Sequence, residues 1–157
     1  MEISLRVNGA VRKVDADPAT PLLFILRNSL GLKGAKLGCG AEQCGACAVL
    51  VDGEPVPTCV RAVSEFAESD IVTVEGLAGD GAASDVQRAF IAGNAAQCGY
   101  CTPGIVVATT ALLRRRKNPD AGDIRDALDG HLCRCGSHTR VIRAIASLAR
   151  EGASDGV

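Results

Sequence analysis

The chain has 157 residues, 47% of them apolar and 22% charged, with a formal net charge of −1. That length holds one ordinary domain or two small ones around an adequate core, and it excludes wholesale disorder. A charge so close to neutral argues against a binder of nucleic acid or of an anionic membrane surface.

The opening "MEISLRVNG" has no basic stretch ahead of an apolar one, and the longest weakly polar run, 103–113, is too short to span a bilayer. The expectation is a cytoplasmic chain without membrane insertion; export in complex with a signal-bearing partner would leave no mark here. Ile3, Leu5 and Val7 alternate into a strand, and Asn8-Gly9 is a strong hairpin signal. The return strand over Val11–Val14 alternates less cleanly, which leaves room for a bulge. In "TPLLFILRNSLG" Thr20 is a candidate N-cap and Pro21 a first helical residue, with Leu22, Leu23, Ile25, Leu26 and Leu30 on one face and Gly31 at the end. "CAVLVDGEPV" reads as a hairpin turning at Asp52-Gly53, and "IVTVEG" at 71–76 as a last short strand.

From residue 84 onward the pattern is helical. Ser84 and Gln87 form a capping-box pair ahead of Val86, Ala89 and Phe90. Thr102-Pro103 opens a helix to Arg116 whose first turns are apolar nearly all round, hence buried. Asn118-Pro119 breaks it; Ile124 and Leu128 mark a third helix closed by Gly130. Val141, Ile145 and Leu148 mark a fourth, capped by Thr139. The expected fold class is α+β: a small mixed sheet with one helix over residues 1–76, a linker at 77–83, a four-helix bundle over 84–150, and a flexible tail at 151–157.

Eight cysteines fall four and four across that divide. With no leader visible and a normal core available, metal binding is favoured over disulfides. Cys39, Cys44, Cys47 and Cys59 give C-x4-C-x2-C-x11-C, whose first three members follow the plant-type [2Fe–2S] spacing. Three thiolates must converge from the single loop "GCGAEQCGAC", so the backbone has to wrap tightly. Gly38, Gly40 and Gly45 permit left-handed torsions and close approach of amide N–H groups to sulfur. Zinc sites favour paired C-x2–4-C arms without such a glycine-rich loop. In the second half Cys98 and Cys101 stand in "QCGYCTPG", and Cys133 and Cys135 in "GHLCRCGSH". Both pairs lie at helix-end turns, where free N–H groups stabilise anionic sulfur. By spacing alone, this second quartet suits zinc almost as well as iron.

With both quartets read, the chain resembles the small iron–sulfur subunit of the molybdenum hydroxylases, the xanthine oxidase and aldehyde oxidoreductase family, over roughly residues 2–150. The resemblance implies a β-grasp, plant-type ferredoxin-like domain followed by the helical domain, with one [2Fe–2S] cluster in each. It implies an electron-transfer subunit without catalytic residues of its own, partnered by a large subunit that binds molybdopterin and the substrate. Electrons pass first to the cluster of Cys98, Cys101, Cys133 and Cys135, then to that of Cys39, Cys44, Cys47 and Cys59. Gln97 is the candidate molybdopterin contact, with Cys135 or its neighbour beside it, and Gly40, Gly45 and Gly99 shape the cluster loops. Where many members read Thr-Gly-Tyr after the C-x-C pair, this chain reads "CGSHTRVIRAI". That variant is similar to the branch oxidising N-heteroaromatics such as nicotinate or isoquinoline, and to some aldehyde-oxidising enzymes. In that branch a cytochrome c domain, rather than a flavin subunit, takes the electrons.

Other features read more plainly. His131 and His138 flank the C-x-C pair, but eight thiolates already satisfy two clusters without a Rieske-type substitution, so turn or capping roles are expected. "RRRK" at 114–117 suits a solvated helix end that complements the negative dipole. Tyr100 is expected to pack over a cluster. "GLKGAKLGCG" matches neither glycine-rich nucleotide-binding pattern. A free ferredoxin-like carrier would need only residues 1–76 and leaves the helical half without purpose; a zinc-stabilised interaction module would be colourless.

Overall fold

Alternation of Ile3, Leu5 and Val7 with Glu2, Ser4 and Arg6 gives β1 (Glu2–Val7) one buried and one wet face. In the computed structural model, which describes residues 1–79 and 83–154 with side chains through residue 149, β1 pairs antiparallel with β2 (Ala10–Asp15). Asn8 (φ 52°) and Gly9 (φ 76°) make the turn. The ladder runs one-to-one from Glu2↔Asp15 to Val7↔Ala10, so there is no bulge. β2 reads irregularly because it is an edge strand: Val11 lies on the open face and Val14 alone points inward.

Pro21 precedes one α-helical turn, α1 (Leu22–Phe24), which continues as a π turn over Ile25–Ser29. The expected Thr20 side-chain cap is absent. Its task is met by the backbone of a later segment, since Leu22 N–H donates to Arg61 O (2.9 Å) and Leu23 N–H to Thr58 O (3.1 Å). Gly31, at φ 70°, ends the segment as expected. The hairpin β3 (Val49–Val51) and β4 (Glu54–Val56) turns at Asp52 and Gly53, both at positive φ. The last strand, β5, is Asp70–Val72, shorter than expected. Asn8 pulls the chain off the ladder there, accepting from Thr73 N–H (2.9 Å) and donating to Thr73 Oγ1 (3.0 Å), and a 3-10 turn follows over Val74–Leu77. The sheet order is β2-β1-β5-β3-β4, with β5 parallel to β1 and antiparallel to β3. Leu5, Leu22, Leu26, Val49, Phe66 and Ile71 fill the core between sheet and α1.

The helical half holds α2 (Asp85–Ala92), α3 (Thr102–Arg115), α4 (Ala121–Leu128) and α5 (His138–Ser154). The Ser84–Gln87 capping box forms as expected, with Gln87 N–H to Ser84 Oγ at 3.2 Å and Ser84 N–H to Gln87 Oε1 at 2.8 Å. Asp120 caps α4. α5 starts one residue before Thr139, so Thr139 sits inside its first turn and the carbonyl of Ser137 takes the first amides instead. α2 packs on α5, α3 on α4, and α4 on α5, around Phe90, Ile105, Ile124, Leu128 and Ile145. α5 continues through Ser154 into the expected tail; residues 80–82 of the expected linker and 155–157 lie outside the described residues.

α3 also lies against β3 and β4, where Ala48 and Leu50 meet Val107 and Ala111. That contact buries the apolar turns of α3 on both sides. At its far end Arg115 pairs with Glu54 of β4 (2.7 Å) and Arg116 with Asp123 of α4, so part of the "RRRK" run ties α3 to both halves. Among the described residues, no helix is long and apolar enough to cross a membrane.

Candidate metal centres

The loop from α1 to β3 brings Cys39, Cys44 and Cys47 together, and Cys59 joins them from just beyond β4. All eight thiols of the chain are free of disulfides. Gly40 (φ 65°) and Gly45 (φ 72°) take the left-handed torsions expected of them. Gly38 does not, but a Cβ on it would stand 2.6 Å from Cys44 Sγ, so it is needed for close approach. Glu42, at φ 57°, is an unforeseen left-handed residue. The wrapped backbone aims its amides at sulfur: Ala41 and Gln43 N–H both donate to Cys39 Sγ, Cys39 N–H to Cys44 Sγ and Thr58 N–H to Cys47 Sγ, each at 3.3 Å.

The second set comes from two turns. Cys98 and Cys101 precede α3, with Cys101 at its N-cap position; Cys133 and Cys135 precede α5. Gly99 (φ 81°) and Gly136 (φ 75°) shape the two turns. Tyr100 N–H donates to Cys98 Sγ (3.5 Å) and Ser137 N–H to Cys133 Sγ (3.4 Å), so the amides that face these thiols come from the turns ahead of α3 and α5.

Within each set the thiols meet two by two. Cys39 lies beside Cys44 and Cys47 beside Cys59; Cys98 lies beside Cys135 and Cys101 beside Cys133. Among the described residues, no three His, Cys, Asp or Glu side chains converge on one point where a single ion would sit. A two-iron cluster takes four thiolates shared between two irons, and each set supplies four free cysteines.

The electrostatics fit the same group. The amides of Gln43 and then Ala41 draw the Cys39 thiol down to about 7. The Tyr100 amide, then the Cys135 thiol, lowers that of Cys98. At Cys133 burial pushes upward, but the Ser137 amide, with the Cys101 thiol and the Cys135 amide among the opposing groups, draws the thiol down to about 7. Burial raises Cys47 and Cys101 to about 11. Each set thus offers thiolate at neutral pH, and bound iron, a stronger local charge than any of these, would deprotonate the buried members.

The two sets are joined by direct contacts. Leu132 N–H donates to Cys44 O at 3.0 Å, linking the neighbour of Cys133 to a residue of the first set. Tyr100 is half exposed; its hydroxyl donates to Leu37 O (2.6 Å), and Lys36 Nζ stands 5.7 Å from its ring centroid. His131 serves the expected turn, its N–H donating to Leu128 O (2.9 Å), yet its ring is buried against Gly45. Burial, and His138 beside it, push the His131 pKa down. Gln97 is exposed, next to exposed Cys98.

Residues 5–76 match a family model described as a 2Fe-2S iron-sulfur cluster binding domain, and residues 73–146 one described as a [2Fe-2S] binding domain. A nicotinate dehydrogenase subunit from Pseudomonas putida is 48% identical over 94% of both chains. The chain belongs to the iron–sulfur subunits of the molybdenum hydroxylases. The alpha subunit of isoquinoline 1-oxidoreductase from Brevundimonas diminuta is 40% identical, covering 96% of this chain and 99% of that one. In the crystal structure of quinoline 2-oxidoreductase from Pseudomonas putida 86, one chain superposes with a TM-score of 0.91 at 33% identity, over 100% of this chain and 98% of that one. As an iron–sulfur subunit of this family, the chain is an electron-transfer component of an oxidoreductase and carries two [2Fe–2S] domains, one after the other.

Proposed function

We propose that this subunit relays electrons from a molybdopterin-binding large subunit, first to a cluster held by Cys98, Cys101, Cys133 and Cys135, then to one held by Cys39, Cys44, Cys47 and Cys59. The pairwise meeting of the thiols in two sets, bridged by the Leu132–Cys44 hydrogen bond, carries this reading. When bound, each cluster supplies a one-electron site. The chain's own residues hold four thiolates per site, direct amide N–H groups at the sulfurs, and fix the separation of the two loops.

The exposed pair Cys98 and Cys135 marks the entry face, and Gln97 beside it is the residue we assign to the molybdopterin contact. Exposed Cys39 marks the exit face. Gly40, Gly45 and Gly99 serve as cluster-loop residues. We read the four helices α2–α5 as a bundle, residues 1–76 and 84–150 as the two domains, and the cytoplasm as the site of assembly. The substrate we infer is an N-heteroaromatic such as nicotinate, because relatives named for nicotinate and isoquinoline match over nearly their whole length. A cytochrome c domain or subunit of the partner is the inferred acceptor, ahead of a flavin subunit.

The test is the absorption spectrum and activity of the native complex isolated through a tag on this chain. Iron–sulfur absorption with haem c bands, and nicotinate-dependent reduction of both, is the expected result. A flavin spectrum would overturn the acceptor assignment, and a colourless zinc protein would overturn the relay.

A further inference from the structure

We infer that His131 is a positioning residue for electron passage between the two clusters: its imidazole fills the slot beside Gly45 and sets the separation of the Cys44 and Cys133 loops. The inference rests on the relay proposed above. His131 is 8% exposed and stands two residues before Cys133; Gly45 directly follows Cys44. A Cβ on Gly45 would overlap His131 Nδ1 and stand 2.7 Å from both His131 Cε1 and Gly130 O. The imidazole therefore occupies the space that the missing side chain leaves.

On its other side Gly45 is held just as tightly. A Cβ on Gly104, in the first turn of α3 after Cys101, would overlap the Gly45 carbonyl oxygen and stand 3.5 Å from Ala46 Cα. Gly45 is thus clamped between the turn carrying Cys133 and the helix that follows Cys101. The Leu132 N–H to Cys44 O bond spans the same junction at 3.0 Å. His131 Nδ1 is buried with no hydrogen-bond partner. An unpaired buried nitrogen contributes no hydrogen bond to offset its desolvation, so the ring acts on Gly45 through its volume. Shrinking it opens a void into which the two loops relax, and rates that depend on fixed geometry are sensitive to such shifts.

The experiment uses the full chain in its native complex, with iron content measured first. Dithionite-reduced samples are then compared by low-temperature electron paramagnetic resonance for the magnetic splitting between the two reduced clusters, and by flash reduction for electron exchange between them. His131→Ala with full iron should lose the splitting and slow the exchange. His131→Asn, whose amide places an atom where Nδ1 lies, should restore both. Unchanged splitting and exchange in His131→Ala would overturn the inference. His131→Ser is made alongside, and failure of both small variants to take up iron would assign His131 to folding, again overturning it. Absence of two [2Fe–2S] signals in the unsubstituted complex would instead sink the two-cluster reading.

Discussion

Leu132 and Cys44 are joined by one hydrogen bond, amide to carbonyl at 3.0 Å, although 88 residues separate them in the chain. The neighbour of Cys133 in the helical half is thereby tied to Cys44 of the sheet half. The route from Cys133 to Cys44 follows covalent bonds except at that single step. Tyr100 repeats the bridge at the edge of the same junction, with its amide on Cys98 Sγ and its hydroxyl on Leu37 O.

Removing one thiol should empty one site and spare the other. Cys133→Ser is expected to lower the iron content of the chain by about half, since each [2Fe–2S] cluster depends on its own four cysteines. Iron analysis with resonance spectra before and after reduction checks this; loss of both signals would show that the sites assemble only together.

Gly45 and Gly40 share a left-handed backbone but not a neighbourhood. Gly40→Ala meets only Leu37 Cδ1, at 3.9 Å, so the cost is the backbone alone, about 1–2 kcal/mol. Gly45→Ala adds the overlap with His131 and Gly130, on the order of a further 1–3 kcal/mol. Thermal denaturation of the two variants, with clusters in place, should rank Gly45→Ala clearly below Gly40→Ala.

The first set of thiols receives four amide N–H donors among the described residues, from Cys39, Ala41, Gln43 and Thr58. The second receives two, from Tyr100 and Ser137. Amide donation stabilises the more negative, reduced cluster, so the first cluster should take up an electron at the higher potential. A redox titration followed by the two resonance signals checks the order, which makes electron flow toward the first cluster downhill.

In the iron-free chain the thiols should differ in reactivity. Cys39 and Cys133, lowered to about 7, are substantially thiolate at neutral pH, and their alkylation rates should rise as pH passes through that value and then level off. Cys47 and Cys101, raised to about 11, remain thiols there, with rates still climbing well above pH 9. Peptide mapping after brief iodoacetamide treatment distinguishes this from the uniform labelling of an unfolded chain.

Much of this was legible from local chemistry. Asn8-Gly9 and Asp52-Gly53 announced their hairpins because few residues accept positive φ, and Ser84 with Gln87 announced a helix start. Cysteine spacing in the first set pointed to its cluster because one loop supplies three of the thiols. The crossed pairing of the second set, Cys98 with Cys135 and Cys101 with Cys133, was not legible; it depends on how two distant turns approach. The missing Thr20 cap has the same kind of origin, since Thr58 and Arg61 supply the partners of Leu23 and Leu22. His131 looked like a turn residue by position, and nothing near it in sequence reveals that Gly45 stands against its ring.

β5 lies between β1 and β3, yet it is the last of the five strands in chain order. A ribosome releasing the chain from its N-terminus therefore delivers two separate hairpins before the strand that joins them. All four cysteines of the first set are already present by residue 59, so they await Asp70–Val72 before the sheet behind them is complete. Nascent chains halted before residue 70 should expose the inner edges of both hairpins, and those edges are what a chaperone or an aggregate would meet.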